Sequence, residues 1–195
     1  MGVVTMAKFF GNLWAVVAVG AVLALGLLFG HMGGVGNVKG WLTFLHVLVG
    51  IMWIGHLYYF NFTQIPTMPK IPAELKPGVS KYIAPEALFW FRWGAAFTVL
   101  TGLLVAWVSQ YLAEALTLQT GYRAIGIGMW LALIMAFNVW FIIWPNQKRA
   151  LGLVEADDAT KAKSATTAMM FSRTNTLLSI PMLLCMVMQN LGGTF

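Results

Sequence analysis

The sequence carries very little charge. Only 9% of its 195 residues are charged, whereas 59% are hydrophobic, and the mean hydropathy is +0.78. A soluble protein draws roughly a quarter of its residues from the charged types. A soluble domain of this length could not hide so much apolar surface, because a small domain leaves a large fraction of its surface exposed. The composition therefore indicates a protein that is surrounded by lipid.

Cysteine is almost absent as well. The single Cys185 lies inside an apolar run, which excludes a disulfide framework and a thiolate metal site. The sequence also lacks the Cys-x-x-Cys-His motif, so a covalently attached c-type haem is excluded. The net charge of +6 comes from basic residues in short segments between apolar runs, and it predicts membrane topology instead of nucleic-acid binding.

Five apolar segments are long enough to cross a bilayer, which requires about 20 mostly apolar residues. They are residues 9–30, 41–60, 87–111, 122–144 and 165–191. We therefore predict an all-α integral membrane protein, with residues 1–195 forming a single domain built as a bundle of five transmembrane helices. The five prolines of segment 62–86 predict an extended crossover there. Segment 146–164 is expected to extend the fourth or fifth helix into water.

The basic residues are distributed unequally between the two sides of the predicted membrane. Eight fall on one side, namely Lys8, Lys70, Lys76, Lys81, Lys148, Arg149, Lys161 and Lys163. Only Lys39 and Arg123 fall on the other side. Because short loops rich in Lys and Arg stay in the cytoplasm, the amino terminus is predicted to be cytoplasmic and the carboxyl terminus to lie outside.

The second apolar run contains two histidines, His46 and His56. Ionisable side chains are rare at membrane depth and face the protein interior. At 100° per residue, His46 shares a helix face with Gly50 and Trp53, and the small residue one turn away leaves a flat space that a porphyrin could fill. Ten residues separate the histidines by about 15 Å, so they cannot bind the same iron. Each is predicted to be a haem iron ligand, with a hydrogen bond to a neighbouring helix as the alternative.

A second set of polar residues falls at the predicted cytoplasmic ends of the helices. It consists of His56, Asn61, Arg92, Asn138, Arg173 and Asn175. Arginine binds carboxylates through a two-pronged fork, so Arg92 and Arg173 are predicted to hold haem propionates or a small organic anion. The alternative for Arg92 is snorkelling to the membrane surface. Met182 and Met186 lie near the expected depth of His46, and either is a weak candidate for a sixth iron ligand.

Four blocks of the sequence resemble a known family. They are LHVLVGIMWIG at residues 45–55, FWFRW at 89–93, NVWFIIWPNQK at 138–148 and SRTNTLLSIPM at 172–182. Together they resemble the membrane domain of bacterial membrane-bound urate oxidases, the urate oxidase N-terminal family. The first block is also similar to other small membrane proteins in which such a histidine binds haem b. His56 stands where that family is expected to have a small or polar residue.

The resemblance implies a multi-pass protein of the bacterial inner (plasma) membrane that carries haem b, one haem or two. In that family a cytochrome c domain follows the membrane domain and receives electrons. We expect this chain to be a short form without that tail, so its expected partners are the lipid bilayer, other membrane subunits or a separate cytochrome c, with no nucleic acid.

Three functions stay open at this point. The first is a haem b protein that relays electrons as a subunit of a larger complex. The second is membrane-bound oxidation of urate or a related purine. The third is a cofactor-free structural or assembly subunit. The sequence assigns no catalytic residue.

The unequal distribution of basic residues predicts the outcome of a reporter fusion. An alkaline phosphatase fused to the carboxyl terminus should be active outside the cytoplasm, while a fluorescent protein at the same position should be dark. Fusions within segment 62–86 serve as the control and should behave in the opposite way. Carboxyl-terminal activity in the cytoplasm would mean that the fifth helix does not cross the membrane.

Overall fold

The computed structural model describes residues 2–31 and 33–191 and is all-helical over them, which confirms the predicted all-α class. The helices are α1 (Gly2–Phe10), α2 (Leu13–His31), α3 (Val38–Lys70), α4 (Lys76–Val108), α5 (Leu112–Leu116), α6 (Arg123–Ala150) and α7 (Asp158–Asn190). Five of these, namely α2, α3, α4, α6 and α7, are long and apolar enough to cross a membrane. The number of predicted long helices is therefore confirmed.

The helix ends differ from the prediction where prolines are concentrated. Helix α3 continues to Lys70 and α4 already begins at Lys76, so only residues 71–75 between them are not helical. The prediction of an extended crossover over residues 62–86 is therefore wrong. The helices do extend into segment 146–164, because α6 continues to Ala150 and α7 begins at Asp158. That these extensions lie in water stays a prediction.

Widened helical turns precede three of the prolines. These π-helical turns span Tyr59–Gln64, Val79–Ile83 and Asn138–Ile143, and they end two residues before Pro66, Pro85 and Pro145, respectively. Proline removes a backbone N–H and crowds the carbonyl four residues earlier. Local π-helical adjustments accommodate this interruption and let a helix continue past a proline. Proline counting alone therefore predicted a longer interruption than the one found, which is confined to residues 71–75.

Contacts divide the chain into two compact units, Met1–Trp41 and Leu42–Phe195. The first unit contains α1 and α2. Helix α2 is apolar on all sides, and only 6% of its spanning window is buried within the protein. A helix that is apolar all round and is not covered by protein is typical of a membrane span.

In the second unit, α3, α4, α6 and α7 build one hydrophobic core. Its largest buried side chains include Trp53 and Leu57 of α3, Phe91 of α4, Met135 of α6 and Met182 of α7. Helices α3 and α6 finish at the end of the unit where α4 and α7 begin. This end carries the turns at residues 71–75 and 151–157, and we call it the polar end.

Helix α7 begins at the polar end because Asp157 caps it. The Asp157 carboxylate accepts hydrogen bonds from the backbone N–H of Thr160 at 2.8 Å and from its hydroxyl at 2.7 Å. These two bonds, the backbone one first, lower the pKa of Asp157, so the carboxylate is ionised at neutral pH. A negative charge at this position also stabilises the positive end of the helix dipole.

The α3–α4 contact generates a stability prediction. A Cβ on Gly94 of α4 would lie 3.0 Å from the Trp53 backbone nitrogen and 3.2 Å from its Cα, so Gly94→Ala must push the helices apart. We expect this variant to lose about 1–3 kcal/mol of stability. Gly78, in the same helix, has nothing within 4 Å of such a Cβ, and Gly78→Ala should be neutral or slightly stabilising. Thermal unfolding in detergent measures the stability of both variants, and equal unfolding midpoints would contradict the direct backbone contact.

Candidate functional site

Helix α3 holds His46 against α4. The His46 Nδ1 atom lies 3.0 Å from the carbonyl oxygen of Thr98 and 3.2 Å from the hydroxyl of Thr101. Because a carbonyl oxygen can only accept, Nδ1 carries the proton and donates it, which leaves the lone pair on Nε2 in the neutral ring. Gly102 makes room for the imidazole, since a Cβ there would lie 2.8 Å from His46 Cε1. The arrangement therefore presents Nε2 as a ligand atom.

Gly50, which the helix pattern predicted to leave a flat space, lies beside α4. A Cβ on Gly50 would make an ordinary contact, 3.8 Å, with the Thr98 methyl carbon. Trp53 is fully buried and packs against Gly94, and its indole Nε1 has no hydrogen-bond partner among the described residues. Both residues contribute to the α3–α4 contact.

Open space lies beside His56. The ring borders a groove of ≈ 700 Å³ between α3 and α4, which we call the His56 groove. Gly55 also lines it, and a Cβ on Gly55 would meet nothing within 4 Å. His56 Nδ1 lies 2.7 Å from the carbonyl oxygen of Met52, so it donates and leaves Nε2 as an acceptor. On the α4 wall, the Glu86 carboxylate accepts a hydrogen bond from Trp90 Nε1 at 3.0 Å.

Arg92 lies flat on an aromatic ring of α6. Its guanidinium carbon is 3.5 Å from the centre of the Trp144 ring, and the ammonium of Lys148 is 5.5 Å from the same ring. Such stacking is favourable because the ring face attracts cations. The Nη1 atom of Arg92 is buried and has no hydrogen-bond partner among the described residues. The contact with Trp144 therefore holds Arg92 in place, and its Nη1–H group remains available to donate to an anion.

Three amide oxygens towards the polar end share this property. Asn61 Oδ1 and Gln64 Oε1 of α3 and Gln147 Oε1 of α6 are buried without a partner in the described part of the chain. A buried polar atom left unpaired costs about 1–3 kcal/mol. A set of such atoms is typical of a site that water or a ligand completes. We call these three amides and Arg92 the Arg92 group.

The other amides of the predicted set are paired within the protein. Asn138 Nδ2 donates to Asn175 Oδ1 at 2.9 Å, and Asn175 Nδ2 donates to the carbonyl oxygen of Met135 at 2.9 Å. Asn61 Nδ2 donates to Ser172 Oγ at 2.8 Å. The Asn138–Asn175 pair thus joins α6 to α7 and does not point to a ligand.

The structure does not bring Arg173 to Arg92. The side chains of Ser172, Asn175 and Ser179 are buried and define the inner face of α7, whereas Arg173 is exposed. Each residue of a helix is rotated by 100° from the one before it, so Arg173 points away from that face. Of the two predicted anion-binding arginines, Arg92 is half-buried with its Nη1 atom covered, whereas Arg173 is exposed.

The two methionine candidates lie where α7 packs on α6. A Cβ on Gly128 of α6 would lie 3.3 Å from Met186 Cε and 3.5 Å from the carbonyl oxygen of Met182. Met182 belongs to the shared core and is 5% exposed. His46, in contrast, packs on α4, so the two methionines contact a different helix from the one that His46 contacts.

Residues 2–31 and 33–191 contain no cluster of side chains that would bind a metal ion directly. No group of three or more His, Cys, Asp and Glu side chains is suitably placed there. A haem iron does not require such a group, because the porphyrin supplies four ligands and the protein one or two.

Sequence reasoning missed several residues that the structure places at these sites. Glu86 precedes Trp90 by four residues, so helical spacing alone could have paired these two side chains. The role of Gly102 could not be predicted in this way, because it depends on which residue of α4 lies opposite His46.

Comparison with known proteins gives one match. Residues 116–195 match the family described as urate oxidase N-terminal, which confirms the sequence resemblance over this stretch. The match covers α6, α7 and the last residue of α5. The segments that carry His46, His56 and Arg92 lie outside it. No curated protein and no solved structure matches the chain.

The two arginines offer a matched pair of substitutions. Arg92→Lys replaces a planar cation that stacks on Trp144, and we expect it to lose about 0.5–2 kcal/mol of stability. Arg173→Lys changes an exposed side chain and should stay within about 0.5 kcal/mol of the wild type. Thermal unfolding of the purified variants in detergent measures the difference. A larger loss for Arg173→Lys would show that the exposed arginine, and not Arg92, holds the internal contact.

Proposed function

We propose that this protein is a multi-pass protein of the bacterial inner membrane that binds haem b through His46 and relays electrons as a subunit of a larger redox complex. The observation that carries the proposal is the hydrogen bond from His46 Nδ1 to the Thr98 carbonyl oxygen at 3.0 Å. This bond fixes the tautomer in which Nε2 is free to bind iron. Metal-binding histidines characteristically donate their other ring N–H to such a partner.

The residues present fit a haem b ligand. The sequence lacks a motif for covalent attachment, which agrees with a haem held through its iron alone. Gly102 leaves the space that the imidazole ring needs, and a larger residue there would collide with the ring. A bound haem would supply one-electron transfer.

The chain's own residues would tune that chemistry. The Thr98 carbonyl and the Thr101 hydroxyl orient the His46 ring, and a hydrogen bond accepted from Nδ1–H increases the electron donation of Nε2. Arg92 has an unpaired Nη1 and is the candidate for charge compensation of propionates. In the proposed orientation, with the amino terminus in the cytoplasm, Arg92 and the polar end face the cytoplasm.

A second haem at His56 is the alternative within the same function. His56 presents Nε2 in the same tautomer, and its ring borders an open groove. No Lys or Arg lines that groove, and its one charged residue is Glu86. A carboxylate is an unfavourable neighbour for haem propionates, so one haem at His46 is the better supported count.

Membrane-bound oxidation of urate or a related purine is the second candidate function. The family match over residues 116–195 favours it. Arg92 also favours it, because its buried Nη1 has no partner among the described residues and could donate to an anion. A cofactor-free structural subunit is the third candidate function, and no specific observation favours it.

The visible spectrum of the purified protein tests the proposal. Wild-type protein, expressed with haem supply and its native partners, should show a Soret band, and a pyridine haemochrome should identify haem b. His46→Ala should remove most of the band because the iron loses its axial ligand. His56→Ala is the matched control, on the same helix, and should keep the band.

The other outcomes separate the remaining functions. A colourless wild-type protein would rule out the redox proposal and favour a structural subunit. A band that is halved by each single variant and absent in the double variant would indicate two haems. Reduction of the oxidised haem on addition of urate would favour purine oxidation.

A further inference from the structure

The His56 groove is open to the outside of the second unit. Its rim includes Ile51, which is 64% exposed, and Ile83, which is 50% exposed. Both lie in helices that are apolar enough to span a membrane. An apolar, exposed rim of this kind suits a ligand that dissolves in a bilayer.

The groove suits a flat ring. Gly55 leaves open space beside His56, and Tyr59 and Trp90 contribute aromatic walls. Its volume of ≈ 700 Å³ falls within the range of about 300–1,000 Å³ that is usual for small-molecule sites. The walls are mostly apolar, so only a few polar groups decide which ligand is preferred.

Two polar groups of the groove have a fixed hydrogen-bonding role, namely His56 Nε2 and the Glu86 carboxylate, and both are acceptors. His56 uses its N–H on the Met52 carbonyl oxygen, which leaves Nε2 as an acceptor. Glu86 accepts one hydrogen bond from Trp90 and keeps further acceptor capacity on its carboxylate. These acceptors lie on opposite walls, one on α3 and one on α4, while the tyrosine hydroxyls can either donate or accept.

We propose that the His56 groove binds a membrane quinol, with one quinol hydroxyl donating to His56 Nε2 and the other to Glu86. A quinol is lipid-soluble, has a flat ring and carries two hydroxyl donors on opposite edges, as the two walls require. The oxidised quinone carries carbonyl oxygens at these positions, and a carbonyl oxygen can only accept a hydrogen bond. It would therefore face His56 Nε2 and the Glu86 carboxylate without a hydrogen to share. The groove therefore prefers the reduced form. The inference rests on the proposed redox function and names its lipid-soluble partner.

The test is a binding titration of the full-length protein in lipid nanodiscs under anaerobic conditions. Decylubiquinol is added and tryptophan fluorescence is followed, since Trp90 lines the groove. Saturable binding should appear, with decylubiquinol binding about tenfold more tightly than decylubiquinone. Equal affinity for the two forms, or no saturable binding, would overturn the proposal.

Substitutions identify the residues. Glu86→Gln replaces an acceptor by a group that also donates, so it should weaken quinol binding about tenfold and shift the preference towards the quinone. His56→Leu should weaken the binding of the quinol in the same way. Glu74→Gln, outside the groove in the turn at residues 71–75, is the matched control and should bind as the wild type does. Quinol binding that survives both groove substitutions would overturn the proposal.

The Soret band separates this inference from the haem proposal. Glu86→Gln and His56→Leu should keep the haem content and the thermal stability of the wild type, which excludes misfolding as the cause of weaker binding. Loss of the Soret band in His56→Leu would make His56 a haem ligand and overturn the quinol site. A colourless protein that still binds quinol in this pattern would support the groove and reject the haem at His46.

Discussion

The positions of the other residues along α3 and α4 depend on the direct contact between the backbones of these two helices. Lipid is as apolar as a leucine side chain, so membrane helices associate through close packing and small residues. Gly94 lets α4 approach Trp53 so closely that an added methyl group would require the Trp53 backbone to move. Because the two helices are antiparallel, this one contact determines every other pairing between them. It brings the first histidine of α3 to Gly102 in one direction and the His56 groove to its Glu86 wall in the other.

Buried polar groups in this protein fall into two kinds, and the difference is informative. The Asn138–Asn175 pair uses its hydrogen bonds to join two helices, so it specifies how α6 and α7 pack. Within the described residues, the Arg92 group leaves one donor and three acceptors unused although each atom is buried. Unused groups of this kind reduce stability, so a ligand or water that paired with them would restore part of the loss.

The long helices could be predicted from sequence because length and hydropathy are properties of a single segment. Their ends could not, since the tolerance of Pro66 and Pro145 depends on widened turns that hydropathy does not report. The site was only partly predictable for a related reason. Helical periodicity identified His46, but whether the space beside it is filled depends on the residue of α4 that lies opposite. The same limit explains Arg173, whose direction is set by the buried face of α7 and not by its depth.

A π-helical turn holds one residue more than the α-helical turn that it replaces. Each of these turns is therefore equivalent to a single-residue insertion inside a helix, and it rotates every later side chain by about 100° relative to an uninterrupted helix. Homologous chains that lack the turn at Asn138–Ile143 would be one residue shorter within this helix. An alignment that forbids gaps inside transmembrane segments would then pair Trp144 and Gln147 with the wrong positions. Correct alignment with such chains would require gaps to be allowed within the membrane helices themselves.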